Sequence, residues 1–362
     1  MSILGSILRI IAYLAAAIAA LFIVFGSILF FKFWLFLHLP GSSIREPQQI
    51  TIPQGMSANG IAQILYKEGV ISDQLGFRAL CWVTHCGQKL RAGEYRISSL
   101  LTPAQIIEKL IQGKGIVHRV TFPEGCTVSD VARILEQSGL TSEEEILRLI
   151  KDKDYITSLG LQVSDLEGYL FPETYFFEKQ SDEPAILRTM VHQFKRRFPD
   201  SWQERASEIG LTVHEVIILA SLVEKEAKID SERSLISAVF HNRLKQNMPL
   251  QSDPTAVYDL PGFSGPITRT HLERESPYNT YRHPGLPIGP ICNPGVKSLK
   301  AVLYPEDVPY LYFVSNNDGT HQFSTNLSDH RQAVERYREK REAQSNSIHQ
   351  DPDAGQSQQE AQ

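Results

Sequence analysis

From Ile10 to Phe31 no charged side chain interrupts the chain, and after Lys32 a second apolar run extends from Phe33 to Leu39. A helix needs ~20 apolar residues to cross a bilayer, so this stretch predicts a membrane span. A cleaved signal peptide has a shorter apolar core, roughly 7–15 residues, and a small-residue cleavage site. Here the run is longer and ends in bulky Phe, Trp and Leu, so a retained anchor over residues 1–40 is expected. Phe30, Phe31, Phe33, Trp34 and Phe36 suit a membrane–water interface. Arg9 precedes the span and Lys32 follows it, so basic residues do not orient it.

A Ser/Arg/Glu/Pro linker over residues 41–49 leads into an internal repeat. Ile50-Thr51-Ile52-Pro53-Gln54-Gly55 returns as Val120-Thr121-Phe122-Pro123-Glu124-Gly125. The alignment continues without a gap through Ile61-Ala62-Gln63-Ile64-Leu65 against Val131-Ala132-Arg133-Ile134-Leu135, and closes with Gly69-Val70 against Gly139-Leu140. Each copy predicts a strand, a Pro-x-Gly turn, a helix with apolar residues at helical spacing, and a Gly stop. Gly93 to Ile97 predicts a second strand, and Thr102-Pro103 the capped start of a helix through Ile106, Ile107 and Leu110. Strand, helix, helix, strand is the layout of LysM-like glycan-binding modules, expected over residues 50–153. The competing reading is a packing spacer, since no side chain there declares a ligand.

A second region, residues 154–342, mixes strands and helices without a βαβ rhythm, so the predicted fold class is α+β. It contains a helical stretch from Pro184 to Phe198, Gly- and Pro-rich loops from Asp253 to Gly295, and an alternating strand from Tyr310 to Val314. A last helix starts near Ser328, and residues 343–362 lack the apolar residues to order themselves.

The formal net charge is −5 with no dense basic stripe, which argues against a nucleic-acid reader. Cys81, Cys86, Cys126 and Cys292 show neither CxxC spacing nor a zinc-type cluster. They are expected to be reduced and buried, although Cys81 and Cys86 could pair in an oxidising compartment. His214-Glu215 opens like HExxH, but Ile218 holds the second His position. Gly262-Phe263-Ser264-Gly265 opens like a nucleophile elbow, but Pro266 holds the final Gly position.

The segment richest in chemistry is Thr212 to Lys228. Thr212 and Glu215 form a capping box, followed by an apolar helix that ends in Glu224-Lys225-Glu226-Ala227. Residues three, four and seven back share a face on a helix. For Glu226 these are Val223, Leu222 and Leu219; for Glu224 they are Ser221, Ala220 and Ile217, a smaller and more polar patch. A carboxyl against apolar side chains is harder to ionise, so the pKa of Glu226 should rise, as a general acid near neutral pH requires. Glu224 should be the better solvated. The bland reading is that both ride an exposed helix end and pair with Lys225 or Lys228.

The whole pattern resembles the endolytic murein transglycosylase family (MltG or YceG-like). The resemblance rests on five stretches in the family's order: Leu166-Glu167-Gly168-Tyr169-Leu170-Phe171-Pro172-Glu173-Thr174-Tyr175; Ala220 to Glu226; Leu250-Gln251-Ser252-Asp253-Pro254-Thr255; Tyr278-Asn279-Thr280-Tyr281 leading to Gly285-Leu286-Pro287; and Tyr310 to Val314 followed by His321, Phe323, Thr325 and Asn326. The family's catalytic glutamate falls on Glu226, and Ala227 departs from its usual Thr or Ser. The resemblance implies an enzyme without cofactor or metal. It implies cutting between N-acetylmuramic acid and N-acetylglucosamine with closure of a 1,6-anhydro ring, which ends strand elongation, so one acid/base suffices. Glu224, Glu167, Glu173 and Asp253 are candidates for a supporting charge. Gln251, Tyr278, Asn279, Tyr281, His321 and Asn326 are candidates for substrate binding or support. Expected partners are peptidoglycan strands, the bilayer and peptidoglycan synthases, with everything after about Pro40 outside the cytoplasm. The alternative function is a membrane-tethered glycan-binding scaffold with no catalysis.

Overall fold

The structure is a computed structural model that describes residues 2–40, 46–98, 100–179 and 181–350. Residues 41–45 of the expected linker and 351–362 of the expected tail lie outside the described residues. The chain forms two compact units, Met1–His118 with Phe176–Ser181, and Arg119–Tyr175 with Asp182–Gln362.

The first unit opens with helix α1 (Ser2–His38). Its apolar part, Ile10–His38, is long enough to cross a membrane, and its most apolar stretch is not covered by the rest of the protein. Strand β1 (Gln48–Ile52) takes up the last two residues of the expected linker and pairs antiparallel with β2 (Gly93–Ile97). Between them lie α2 (Ala58–Lys67) and α3 (Gln74–Val83), so the strand–helix–helix–strand order is present. Helix α4 (Pro103–Gln112) follows, with Thr102 and Gln105 closing a capping box and Pro103 in the first turn. Ile50, Ile61, Leu65, Phe77, Tyr95, Ile106 and Leu110 form the core. Each such side chain contributes roughly 1.5–3 kcal/mol by leaving water. Cys81 and Cys86 are free thiols buried within it.

Strand β3 (Val117–Thr121) opens the second copy of the repeat, followed by α5 (Val128–Gln137) and α6 (Glu143–Ile150). The likeness reaches individual torsions: Gly55 and Gly125 have φ of 71° and 78°, and Gly69 and Gly139 have φ of 68° and 70°. After α7 (Lys153–Ser158), strand β4 (Thr174–Glu178) pairs with β3, so this copy also closes as a strand pair. The expected division at residue 153 differs from the compact units, which divide after His118. The physical reason is bonding: the Val128 amide at the start of α5 reaches the Glu167 carboxylate, and Asn293 donates from both its backbone amide and its side chain to the Cys126 carbonyl.

The rest of the second unit contains α8 (Glu183–Arg197), α9 (Asp200–Glu208), α10 (Val213–Glu226), α11 (Arg233–Lys245), α12 (Arg269–Glu273) and α13 (Val296–Leu303). A hairpin of β5 (Tyr312–Ser315) and β6 (His321–Ser324) precedes α14 (Leu327–Gln350). The α14 helix continues past Ala343, where order was not expected. Its Arg, Glu, Lys, Gln and Ala residues have high helix propensity, which needs no burial. Around α10 lies the core, with Phe194, Phe240, Ile291, Leu299 and Val302. The fold is α+β.

Candidate active site

The site begins with helix α10, whose N-terminus is closed reciprocally. Thr212 Oγ1 accepts from the Glu215 amide at 3.2 Å, and Glu215 Oε2 accepts from the Thr212 amide at 2.7 Å. From Val216 to Val223 every residue is buried. A helix with no solvent face delivers its C-terminal residues into the body of the fold. Ser221 also tethers the later loop, its Oγ accepting from the Ile291 amide at 3.0 Å.

Glu226 is the last residue of α10 and is half-buried. Its Oε1 accepts a hydrogen bond from Ser252 Oγ at 2.5 Å. Burial pushes the carboxyl up to about 7, against the pull of Ser252. The negative charge of Asp253 raises it further, and the Arg243 guanidinium opposes. The direction is the one expected from its apolar helical neighbours, and at this value both protonation states are populated near neutral pH.

Ser252 is buried and rigidly seated. Its amide donates to Thr280 Oγ1 at 3.0 Å, and its carbonyl accepts from Thr255 Oγ1 at 2.6 Å. The hydroxyls of Thr255 and Thr280 are themselves 2.9 Å apart. Arg243 fixes the preceding residues from α11, with Nη1 donating to the Leu250 carbonyl and Nε to the Leu311 carbonyl, each at 2.7 Å. Its guanidinium lies 5.3 Å over the Tyr312 ring. Beside Ser252, the exposed Asp253 accepts from Tyr281 Oη at 2.5 Å, and Gln251 is exposed with φ of 49°. Glu226, Gln251, Asp253 and Tyr281 are therefore gathered around one turn.

Glu224 corrects an expectation. Its side chain is only 6% exposed, so it is not the better solvated carboxylate. Oε1 pairs with Arg233 at 2.9 Å and Oε2 accepts from the Gly295 amide at 2.9 Å. The partner is neither Lys225 nor Lys228 but a side chain from the next helix, invisible to local spacing. Glu224 thus holds α10, α11 and the Gly295 turn together.

The remaining candidates lie in other networks. Glu167 is buried and accepts from the Val128 amide at 3.1 Å, from Tyr258 Oη at 2.7 Å and from Asn293 at 3.2 Å. Burial raises its pKa to about 8, opposed by the Tyr258 hydroxyl and the Val128 amide. Tyr278 is half-buried against Tyr258, ring centroids 4.7 Å apart. Glu173 binds Gln193 and Arg197; burial raises its pKa, but these donors outweigh it and the net shift is downward. Asn279 is fully buried, and its amide spends itself on the Leu272 and Arg274 carbonyls and the Tyr281 amide. It staples the loop and presents nothing to a ligand. His321 Nδ1 donates to Glu232 at 2.7 Å, with both side chains nearly covered. Asn326 accepts from the Asp329 amide at 3.0 Å and donates to its carboxylate, as a helix cap does.

Ser252, Arg243, Arg233 and Glu232 were not among the expected site residues. Ser252 did stand inside a segment singled out in the sequence, but no periodicity runs through that loop to show which side chain turns inward. Among the described residues, no group of three or more His, Cys, Asp or Glu side chains is disposed to hold a metal ion.

The carboxyls of Glu167 and Glu226 are thus both raised, Glu167 within a closed network and Glu226 at the end of the buried helix beside the exposed Gln251 and Asp253, so the fold presents Glu226 as a candidate acid/base. The chain belongs to the YceG-like family, whose model matches residues 50–336. It is 32% identical over 324 residues to the endolytic murein transglycosylase of Bacillus subtilis strain 168, covering 83% of this chain and 89% of the relative. It is 27% identical to the endolytic murein transglycosylase of Streptococcus pneumoniae D39, covering 78% of this chain and 56% of that longer protein. The crystal structure of a yceG-like protein from Listeria monocytogenes is similar, with TM-score 0.56 and 31% identity over 79% of this chain and 98% of that one.

Proposed function

We propose that this chain is an endolytic lytic transglycosylase of peptidoglycan, with Glu226 as its acid/base. The observation that carries the reading is the half-buried Glu226 carboxyl, raised to about 7 and held by Ser252. The names of its relatives agree with it. In the proposed reaction protonated Glu226 donates to the oxygen between N-acetylmuramic acid and N-acetylglucosamine, and the bond from C1 to that oxygen breaks. The resulting carboxylate then takes the proton of the sugar's own 6-hydroxyl as that oxygen closes on C1. The product carries a 1,6-anhydro end, which cannot be extended, and the acid is restored. No water and no covalent nucleophile are consumed, so the two-carboxylate requirement of ordinary glycosidases does not apply.

Each neighbour has a part in this scheme. Ser252 and the Arg243 charge stabilise the carboxylate after it gives up its proton, while burial favours the acid beforehand. Asp253, exposed beside Glu226, is the supporting charge for the oxocarbenium-like transition state, and Tyr281 orients it. The strand–helix–helix–strand module of the first unit engages glycan, and α1 anchors the enzyme with everything after Pro40 outside the cytoplasm, where synthases extend the strands.

The test of the activity is digestion of purified glycan strands by the full-length protein in detergent. The proposal requires fragments with anhydromuramic ends; bound but intact strands would make the protein a scaffold. For sidedness, protease added to intact spheroplasts is expected to digest the large domain. Protection until the membrane is lysed would reverse the orientation.

A further inference from the structure

Helix α1 is joined to the module that follows it by packing. Phe36, in its last turns, is buried in the first unit's core, and Phe33 and Leu37 pack against the same cluster. The contact point is Gly76 in α3, where an added Cβ would meet the Phe36 ring at 2.9 Å. The first turn of α3 is thereby fixed to the end of the apolar helix. The uncharged run closes at Phe31, five residues before Phe36. At 1.5 Å per residue that is about 7–8 Å along the axis, similar to the headgroup layer on one side of a bilayer, roughly 5–8 Å. The start of α3 therefore stands at headgroup depth.

The outer face of α3 suits that position. Gly76, Phe77, Leu80 and Cys81 face the core. The opposite face carries Leu75, Arg78, Ala79 and Trp82, spaced three, four and seven residues from the first. Leu75 is 70% exposed and Trp82 78%, and Leu100, just before α4, is 51% exposed. An apolar face with Trp and Arg is the composition of helices that lie in a bilayer interface. We infer that α3 rests on the bilayer surface with Leu75 and Trp82 among the lipid headgroups, holding the first unit against the membrane. Trp82 also borders a cleft of ≈ 650 Å³ with Asn59, Arg78 and His85, which glycan could occupy instead. Packing of α3 on the end of the apolar helix favours lipid.

The inference rests on α1 crossing a bilayer, and the experiment separates the two. The chain has three tryptophans, Trp34, Trp82 and Trp202. Full-length protein with Trp34→Phe and Trp202→Phe is reconstituted in anionic phospholipid vesicles, leaving Trp82 as the reporter. A companion variant keeps only Trp34. Trp82 is expected to lose most of its emission to lipids brominated near the headgroup and little to aqueous iodide, with Trp34 also quenched by brominated lipid. Iodide quenching of Trp82 beside lipid quenching of Trp34 overturns the inference while leaving the anchor intact. Unquenched Trp34 removes the anchor and the inference together. Shielding of Trp82 by added glycan strands, and not by lipid, assigns the face to the cleft and overturns the lipid reading. If the double variant misfolds, a photoreactive residue at Leu75 in the otherwise native chain replaces it. Adducts with phospholipid support the inference, and their absence sinks it.

Discussion

Ser252 and Glu226 lie 26 residues apart in the chain, and the hydroxyl of the first donates to the carboxyl of the second at 2.5 Å. Ser252 is in turn clamped by Thr280 and Thr255. The proposed acid therefore has a fixed neighbour whose hydrogen bond favours ionisation, set against burial that opposes it.

Ser252→Ala is expected to change the pH profile. The Ser252 bond lowers the pKa of Glu226, so its loss raises the pKa further above about 7. The first step needs the protonated acid, so the alkaline limb of kcat/KM should move to higher pH. The rate at the optimum should fall by up to roughly tenfold, the worth of one hydrogen bond of about 0.5–1.5 kcal/mol. An unmoved alkaline limb would show that Ser252 does not bear on the acid.

Glu226→Gln is expected to stabilise the protein at alkaline pH. Folding raises this carboxyl from 4.5 to about 7, so between those values the folded state keeps a proton that the unfolded state releases. Stability from this group is therefore lost as pH rises through that window and stays lost above it. At about 1.4 kcal/mol per unit, the gain from Gln is at most about 3–4 kcal/mol. Thermal unfolding at pH 8 should show a higher Tm for the variant, with the difference vanishing near pH 4. A variant no more stable than the parent at pH 8 would contradict a raised pKa.

The Glu224–Arg233 pair should matter to stability before chemistry. Arg233→Met leaves a carboxylate with 6% exposure facing no cation. Breaking one side of such a pair costs roughly 3–5 kcal/mol. Urea unfolding should move to lower midpoint, and the protein that remains folded should still cleave. Full stability with loss of cleavage would instead place Glu224 in the chemistry.

What could be read from the sequence follows physical range. The apolar anchor, the duplicated Pro-x-Gly turns and the capping box of α10 are set by neighbours within a few residues. Glu226 belongs with them, because its pKa direction follows from Leu219, Leu222 and Val223 on the same helix. Ser252 and Arg243 depend on how an aperiodic loop folds back on α10 and α11, which no local spacing encodes. Glu224 shows the same limit from the other side. Its helical neighbours suggested solvent, and a guanidinium from α11 decided otherwise. The second repeat copy was legible, yet the compact unit it joins depends on contacts with Glu167 and Asn293 far along the chain.

The central claim is the assignment of the acid, and a paired digestion tests it. Glu226→Gln and Glu224→Gln proteins, purified at full length and checked for folding by circular dichroism, are given the same glycan strands. Removing a general acid costs roughly 10²–10⁴-fold in rate. The Glu226→Gln protein is expected to be folded, to bind strands and to release essentially no anhydromuramic ends. The Glu224→Gln protein is expected to be less stable but active at a temperature where it is folded. A well-folded Glu226→Gln protein that still cleaves, beside an inactive folded Glu224→Gln protein, would contradict the assignment.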